Sequence, residues 1–256
     1  QSHVRTSFEI PEFTANVDAL GSLRILEAIR VLNFQKKTKY YQASTSEIFG
    51  NTDIPQHEKT NFRPRSPYAI AKLYSYWTTI NYREAYNLFA VNGILFNHEG
   101  PRRGDNFVSK KITKSVVEIY KNKRNNFSLG NLNAKRDWGS AKDYVESMWL
   151  MLKAKKPSDY VIATGKSFTV KQFVEEAFKY VNIKIKWKGK GINEVGYNNK
   201  TKKILVKVDP IYFRPTEIKE LRGDFSKAKR ELGWKPKTGF KELVKEMMIF
   251  DLKNIK

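Results

Sequence analysis

The sequence predicts an α/β fold built around a parallel β-sheet, and two observations support this. Segments with a helical apolar stripe alternate with short runs of β-prone residues along residues 14–96. That order is typical of parallel strands joined by covering helices. The hydrophobic content of 40%, with 13% aromatic residues, suits a packed core. No apolar run approaches the ~18 residues that a membrane-spanning helix needs.

The first elements follow from periodicity and from helix-start signals. Residues 14–33 predict a helix, because apolar residues recur there at helical spacing. Residues 38–43 predict a buried strand, and residues 51–66 a polar loop. Ser66-Pro67 predicts a helix start, with serine at the N-cap and proline in the first turn. The helix runs over 68–86 and is followed by a strand over 88–96.

The pattern is looser beyond residue 105, but it stays of the α/β type. The helices expected there share an amphipathic pattern and span 107–120, 143–154, 170–181, 226–232 and 240–252. The strands expected there are short and span 127–129, 160–163, 183–187 and 204–208. Gly189, Gly191 and Gly196 lie in a lysine-rich stretch with the wrong spacing for a dinucleotide-binding loop. We interpret them as turn residues.

The composition and net charge of the chain limit the classes of function that it could have. The formal net charge is +22, and most of the excess lies in residues 101–256. A solvated lysine-rich surface explains most of this charge, while a phosphorylated ligand or a nucleic acid is the alternative. The chain has no cysteine, and His3, His57 and His98 are isolated, so we expect no metal site. No apolar run follows the N-terminus, so we expect no signal peptide and a cytoplasmic protein.

The most informative stretch runs from residue 42 to residue 72. Tyr68 lies in the first turn of a predicted helix, and Lys72 lies one turn later on the same face. The helix dipole and the lysine ammonium both favour phenolate, so we expect the pKa of Tyr68 to be lowered. Such a tyrosine could act as a general base at an alcohol oxygen. Alone, Tyr68-x-x-x-Lys72 is more often an ordinary amphipathic pair.

The strand that ends in Ser44-Thr45-Ser46-Glu47 makes a functional role of the Tyr68 and Lys72 pair more specific. Together they resemble the extended short-chain dehydrogenase/reductase family. Longer stretches resemble one branch of it, the GDP-mannose 4,6-dehydratases. These stretches are Gln1-Ser2-His3-Val4, Tyr41 to Glu47, Arg65-Ser66-Pro67-Tyr68, Asn81 to Tyr86, Gly93 to Glu99, Pro101 to Gly104, Ser128 to Leu132, Lys135 to Gly139, Asp143 to Glu146 and Arg214-Pro215-Thr216-Glu217.

The resemblance implies the C-terminal part of a Rossmann-type doubly wound parallel sheet, with a smaller α/β substrate-binding domain. Residues 1–107 would form a partial NADP-binding domain that carries the catalytic residues. Residues 108–256 would form mainly the nucleotide-sugar domain, with the chain crossing back to the sheet. By the same resemblance the chain starts after the fourth strand, so we expect the glycine-rich pyrophosphate cradle to be absent from it.

The implied activity is that of a lyase, the dehydration of GDP-mannose to GDP-4-keto-6-deoxymannose through bound NADP. Tyr68 would deprotonate the sugar 4-hydroxyl, Thr45 would hydrogen-bond the 4-oxygen, and Lys72 would hold the nicotinamide ribose. Glu47 would remove the C5 proton of the ketone and help water to leave from C6. The structural alternative for Ser44-x-x-Glu47 is a helix capping box.

The resemblance also implies the binding residues. Those expected near NADP are Gln1, Ser2, Phe13, Tyr68, Lys72, His98 and Arg103. Those expected to bind the nucleotide sugar are Asn97, Lys111, Arg136 and Arg214, because the arginine fork pairs with phosphate. Phe13 stands where the family has tyrosine, so a hydroxyl contact would be lost. His98 could instead be a buried structural histidine.

Two rival functions stay open at this point. The chain could be another nucleotide-sugar dehydratase or an epimerase on the same scaffold. It could also be a non-catalytic member that binds RNA through its basic half, although we regard a nucleic-acid partner as less favoured. The Thr45, Glu47, Tyr68 and Lys72 set separates these, because a pure binding module does not need it. The resemblance further implies a homodimer or homotetramer, and the lack of a long apolar run predicts no membrane partner.

Overall fold

The computed structural model describes residues 1–213 and 216–255. Its α-helices are, in chain order, α1 (Val4–Glu9), α2 (Pro11–Ala15), α3 (Gly21–Val31), α4 (Pro67–Tyr86), α5 (Val108–Tyr120), α6 (Ala141–Lys153), α7 (Val170–Tyr180), α8 (Ser226–Leu232) and α9 (Phe240–Asn254). A π-helical turn, Asn16–Leu20, joins α2 to α3, and 3₁₀ turns cover Ser46–Ile48, Gly191–Asn193 and Pro210–Tyr212. Within this described part, no helix is both long enough and apolar enough to cross a bilayer.

The strands are β1 (Lys39–Thr45), β2 (Phe89–Leu95), β3 (Asn97–Glu99), β4 (Phe127–Leu129), β5 (Lys135–Arg136), β6 (Trp138–Ser140), β7 (Asp159–Ile162), β8 (Phe168–Thr169), β9 (Ile185–Lys188), β10 (Val195–Asn198) and β11 (Ile204–Val208). The predicted α/β fold with a parallel sheet is confirmed, and most predicted elements lie within a few residues of the observed ones. The short strands β3, β5, β6, β8 and β10 were not predicted.

One sheet has the strand order β1-β2-β7, and all three strands are parallel. Alternate residues of β2 and β7 enter two different cores. Val91 and Tyr160 pack with α6 and α8 residues, while Ile94 and Val161 pack with Phe49 and α4 residues. A parallel sheet is normally buried on both faces in this way, because its connecting helices cover it. The carboxyl ends of its strands therefore open toward one edge of the molecule.

A second sheet has the order β4-β11-β10-β9 and packs against α5, α7 and α9. Gly196 lies inside β10, so its prediction as a turn residue is wrong. A Cβ at Gly196 would come within 2.7 Å of the Ile185 side chain and 2.9 Å of Trp187, so only glycine fits the strand there. Gly189 and Gly191 have positive φ values of 84° and 59°, which confirms the turn at these two positions.

The N-terminal helical region is longer than the predicted helix over 14–33. Helices α1 and α2 precede it, and α2 begins at Pro11, where proline has no N–H to leave unpaired. The π-helical turn interrupts what the apolar periodicity predicted as one regular helix. Wider turns of this kind are not visible in a 3.6-residue pattern.

Helix α4 begins as predicted and thereby fixes the position of Tyr68. The Ser66 hydroxyl oxygen accepts a hydrogen bond from the Ala69 backbone N–H at 3.1 Å, and Pro67 follows at the first helical position. At the other end, Asn87 closes the helix in the left-handed region, with φ of 54°. The cap satisfies one of the N–H groups that the first turn leaves without an intrahelical partner.

We expect Ser66→Ala to lower the free energy of unfolding by about 1 kcal/mol, because a buried backbone N–H loses its partner. Denaturant unfolding followed by circular dichroism measures this. Ser140→Ala is a matched control, because Ser140 is the buried N-cap of α6 but makes no side-chain cap hydrogen bond. An equal loss in both variants would contradict the assignment of Ser66 as a stabilising cap.

Candidate active site

A cavity of about 720 Å³ opens at the carboxyl ends of β1 and β2. It lies between the three-stranded sheet and the residues that follow β3, β4 and β5. The predicted site residues that line it are Ser2, Thr45, Glu47, Tyr68, Asn97, His98, Arg103, Lys111 and Arg136. The structure therefore brings together residues that are up to 134 positions apart in the chain, counted from Ser2 to Arg136.

Three predicted residues do not line the cavity, and one cannot be placed. Lys72 bonds to the Ala43 backbone, Gln1 binds Asp18 and Thr14, and Phe13 is 54% exposed on the surface of α2. From this position, neither the ring of Phe13 nor a hydroxyl on that ring would contact the cavity. Arg214 lies outside the described residues.

Thr45 and Glu47 stand where β1 passes into a 3₁₀ turn. The Thr45 hydroxyl oxygen accepts a hydrogen bond from the Glu47 N–H at 3.3 Å, so Thr45 caps this turn. The alternative of a Ser44–Glu47 capping box is therefore wrong, because the cap is Thr45. Both side chains are buried in the cavity wall, with 8% and 7% of their surfaces exposed. A carboxylate and a hydroxyl are thus both placed in the buried wall of the cavity.

Tyr68 lies in the first turn of α4 and is also buried. Burial raises the pKa of its phenol, a hydrogen bond with Thr45 lowers it, the anions Asp18 and Glu47 raise it, and Arg103 lowers it again. The net pKa is raised, so the expectation of a lowered pKa is wrong for this structure. The reason is that the low-dielectric surroundings disfavour the phenolate more than the nearby positive charges favour it.

Lys72 is held below Tyr68 by the backbone of β1. Its Nζ donates a hydrogen bond to the Ala43 carbonyl oxygen at 3.1 Å and lies 6.0 Å from the centre of the Tyr68 ring. Burial lowers the pKa of Lys72, and the charge of Asp18 raises it in opposition. Lys72 is therefore close to the tyrosine, but its ammonium does not bond to the phenol.

His98 combines a cavity position with structural contacts. Its Nδ1 donates to the Phe96 carbonyl oxygen at 2.9 Å, and its ring stacks on Tyr144 with 5.2 Å between ring centres. Burial lowers the pKa of this histidine, which favours the neutral imidazole. The contacts satisfy one face and one nitrogen of the ring, so the alternative of a structural histidine describes part of its role.

The side chain of Arg103 is bound by neighbouring residues of its own segment. It forms an ion pair with Glu99 at 3.0 Å, and its guanidinium carbon lies 3.6 Å from the centre of the Phe107 ring. Glu99 is only 2% exposed and also accepts a hydrogen bond from the Ser109 hydroxyl. These contacts fix the segment between β3 and α5 at the cavity rim.

Arg136 is buried in the cavity wall. Its Nη1 donates to the carbonyl oxygens of Lys135 and Ile218, both at 2.9 Å, and its Nη2 lies 3.4 Å from a Glu217 carboxylate oxygen. The backbone carbonyls therefore hold the guanidinium in one orientation. A preoriented guanidinium of this kind suits planar recognition of a phosphate.

Several lining residues were not predicted as site residues, notably Arg5, Tyr212 and Glu217. The Lys111 Nζ lies 3.3 Å from the centre of the Tyr212 ring, and the guanidinium carbon of Arg5 lies 5.9 Å from it. The ring thus gathers two cations on one side of the cavity. Glu217 belongs to the Arg214-Pro215-Thr216-Glu217 stretch, but nothing in the sequence indicated that it lines the cavity and pairs with Arg136.

A family model described as GDP-mannose 4,6 dehydratase matches residues 1–247. The chain is 58% identical to the GDP-mannose 4,6 dehydratase of Drosophila melanogaster over 98% of its length and 64% of that relative. It is 56% identical to the Homo sapiens protein of the same name, over 98% of the chain and 68% of the relative. The chain thus spans about two thirds of the length of these relatives.

Two solved structures show the same fold at low sequence identity. RMD from Pseudomonas aeruginosa, complexed with NADPH, aligns with a TM-score of 0.84 and 19% identity, over 99% of this chain and 79% of that one. UDP-glucose 4-epimerase from Thermotoga maritima, with UDP-glucose, aligns with a TM-score of 0.82 and 22% identity, over 100% of this chain and 76% of that one.

We expect Arg103→Met to destabilise the fold by about 3 kcal/mol, because it leaves the buried Glu99 carboxylate without its cation. Adding Glu99→Gln should restore most of this loss, since no buried charge then lacks a partner. Arg230→Met is the control: Arg230 pairs with Glu231 at the exposed surface, so the loss should stay below ~1 kcal/mol. Denaturant unfolding of the unchanged chain and of these three variants measures the losses in stability. A double variant that is less stable than Arg103→Met would contradict this account.

Proposed function

The chain belongs to the GDP-mannose 4,6-dehydratase family, and from that premise we propose that it acts as a lyase that converts GDP-mannose to GDP-4-keto-6-deoxymannose. The observation that carries this proposal is the convergence of Thr45, Glu47 and Tyr68 on one buried cavity. The relatives bear the name of this activity, which supports the choice of substrate.

We propose NADP as the cofactor. Two features, one in the cavity wall and one next to Tyr68, fit a nicotinamide nucleoside beside this tyrosine. The Ser44 hydroxyl is buried at the cavity wall without a hydrogen-bond partner, and Lys72 holds an ammonium group beneath the tyrosine. When bound, the nicotinamide would accept the hydride from sugar C4 and return it to C6. Ser2, His98 and Arg103 line the same cavity and are proposed as further contacts, and Gln1 and Phe13 as more distant ones.

The first proton transfer is assigned to Tyr68. Its phenol oxygen would take the proton of the sugar 4-hydroxyl, with the Thr45 hydroxyl as hydrogen-bond partner of the same oxygen. Because burial raises the pKa of Tyr68, the phenolate is a strong base once it forms. The Lys72 ammonium and a bound cationic nicotinamide would both stabilise that phenolate. Lys72 would also hold the nicotinamide ribose.

Glu47 distinguishes a dehydratase from an epimerase. A ketone at C4 makes the C5 proton acidic, and a general base is needed to remove it; a carboxylate can take this proton and deliver it to the departing C6 hydroxyl. Glu47 is buried next to Thr45, so its carboxylate lies at the wall where the 4-oxygen would bind. A simple exchange of configuration at C4 needs no such group, which is why we favour dehydration over epimerisation.

The diphosphate of the substrate is assigned to cationic and amide groups in the cavity lining. Asn97, Lys111 and Arg136 line it, and Arg214 completes the proposed set from the sequence. Arg136 is held on two carbonyl oxygens before any ligand arrives, so little ordering entropy is lost on binding. Lys111 is placed by the Tyr212 ring.

Three further features stay predictions of the sequence. They are the division into a cofactor part, 1–107, and a mainly substrate part, 108–256, the assembly into a homodimer or homotetramer, and the cytoplasmic location. The strand β7 joins the three-stranded sheet from within the second part, which agrees with a chain that crosses back.

We expect Glu47→Gln to abolish formation of the 4-keto-6-deoxy sugar while GDP-mannose affinity changes by no more than a few fold, because the amide keeps the shape but cannot accept the C5 proton. Product analysis with GDP-mannose and NADP, and titration calorimetry with GDP-mannose, measure the two quantities. Glu194→Gln is the control, because Glu194 is equally buried but pairs with Lys171 outside the cavity. It should keep full turnover. Normal turnover by Glu47→Gln would show that Glu47 is structural.

A further inference from the structure

The chain segment 216–219 supports the buried Arg136, which the proposed function assigns to the substrate diphosphate. The carbonyl oxygen of Ile218 accepts a hydrogen bond from Nη1 of Arg136 at 2.9 Å, and a carboxylate oxygen of Glu217 lies 3.4 Å from Nη2. Ile218 is 1% exposed and belongs to the core cluster that includes Phe49. The orientation of the guanidinium therefore depends on where this segment lies.

Asn51 binds the backbone of the segment on both sides of Ile218. Its Nδ2 donates to the carbonyl oxygen of Glu217 at 3.0 Å, and its Oδ1 accepts from the N–H of Lys219 at 3.0 Å. One side-chain amide thereby satisfies a backbone acceptor and a backbone donor, as a neighbouring β-strand would. Asn51 is exposed and does not line the cavity, and neither the sequence patterns nor the proposed chemistry uses it.

The position of Asn51 is set by the same turn that carries Glu47. The backbone N–H of Gly50 donates to the Glu47 carbonyl oxygen at 3.3 Å, and Gly50 has a positive φ of 60°. A Cβ at this glycine would come within 1.9 Å of the Arg63 carbonyl oxygen, so only glycine allows the two loop strands to pass this closely. Asn51 is therefore held four residues after the proposed C5 base.

A second contact attaches the segment near the start of α4. The Thr216 hydroxyl donates to the carbonyl oxygen of Arg65, the residue before the Ser66 cap. That cap in turn places Tyr68 in the first turn of the helix. The support of the guanidinium is thus joined to the loop that connects Glu47 to Tyr68, the two residues assigned to proton transfer.

We propose that Asn51 is a positioning residue, whose side-chain amide holds the segment 216–219 and thereby holds Arg136 in the orientation that binds the substrate diphosphate. The inference deepens the proposed function, on which it rests for the role of Arg136. Asn51 itself does not touch the substrate. Because its contacts are made before any ligand arrives, they lower the cost of ordering the guanidinium on binding.

The first test follows the Arg136 guanidinium by NMR in the full chain labelled with ¹⁵N-arginine, with its signals assigned by their loss in Arg136→Lys. In the unchanged chain the hydrogen bonds should slow rotation about the Nε–Cζ bond, so the two Nη groups should give separate signals. In Asn51→Ala these signals should broaden or merge, because the Ile218 carbonyl is no longer held in place. Merged signals in the unchanged chain, or unchanged signals in the variant, would overturn the inference.

The second test is the affinity for GDP, measured by titration calorimetry. Asn51→Ala should weaken binding about tenfold, because the guanidinium must then be ordered when the ligand arrives. Asn51→Asp has nearly the same shape and keeps the acceptor for the Lys219 N–H, but it sets an oxygen against the Glu217 carbonyl oxygen. It should weaken GDP binding at least as much. Normal affinity in either variant would overturn the inference.

Asn198→Ala is the matched control. The Asn198 Oδ1 accepts hydrogen bonds from the backbone N–H groups of Lys200 and Thr201 at 2.8 and 3.1 Å, in the turn between β10 and β11 and outside the cavity. This variant also loses two side-chain hydrogen bonds, but it should leave GDP affinity and the Arg136 signals unchanged. An equal loss of affinity in Asn198→Ala would show that general loosening of the fold is the cause, and would overturn the inference.

The NMR test needs neither substrate nor turnover, so it separates the inference from the proposed function. If the unchanged chain does not bind GDP, the diphosphate role of Arg136 is wrong, while the NMR signals still decide whether Asn51 holds this arginine. If the chain is active, Asn51→Ala should raise KM for GDP-mannose and leave kcat within about twofold, because Glu47 and Tyr68 keep their own supports. A fall in kcat with an unchanged KM would contradict the inference.

Discussion

The parallel pairing of β1 with β2 is the constraint on which the site depends. The register places Thr45 beside Leu95, so the residues that follow both strands emerge at the same edge of the sheet. Glu47 follows one strand, and Asn97 and His98 follow the other. Helix α4 starts near that edge at its Ser66 cap, which brings Tyr68 to Thr45. A shift of one residue in this register would turn every side chain to the opposite face.

Burial is the second physical theme of the site. It raises the pKa of Tyr68 and lowers the pKa of Lys72, and in both cases it is the largest cause. Charged neighbours then adjust these values: Asp18 acts on both residues, while Glu47 and Arg103 act on the tyrosine.

The sequence predicted what local patterns determine. Ser66-Pro67 predicted the start of α4, the short runs of β-prone residues predicted β1 and β2, and the long motifs predicted the family. The sequence did not predict features that depend on contacts between residues far apart in the chain. The two- and three-residue strands β3, β5, β6 and β8 exist only because their partners meet in space. The raised pKa of Tyr68 depends on packing that no spacing reveals, as do the engagement of Arg103 with Glu99 and the strand position of Gly196.

The central claim is that the cavity removes the proton at C5 of a GDP-linked hexose as well as the proton of its 4-hydroxyl. Incubating the chain with GDP-mannose and NADP in D₂O, followed by NMR and mass analysis of the product, tests this most directly. The account predicts a 4-keto-6-deoxy product that carries solvent deuterium at C5, because the carbon is reprotonated from exchangeable hydrogen. A product without deuterium at C5, or a C4 epimer that keeps its C6 hydroxyl, would contradict it.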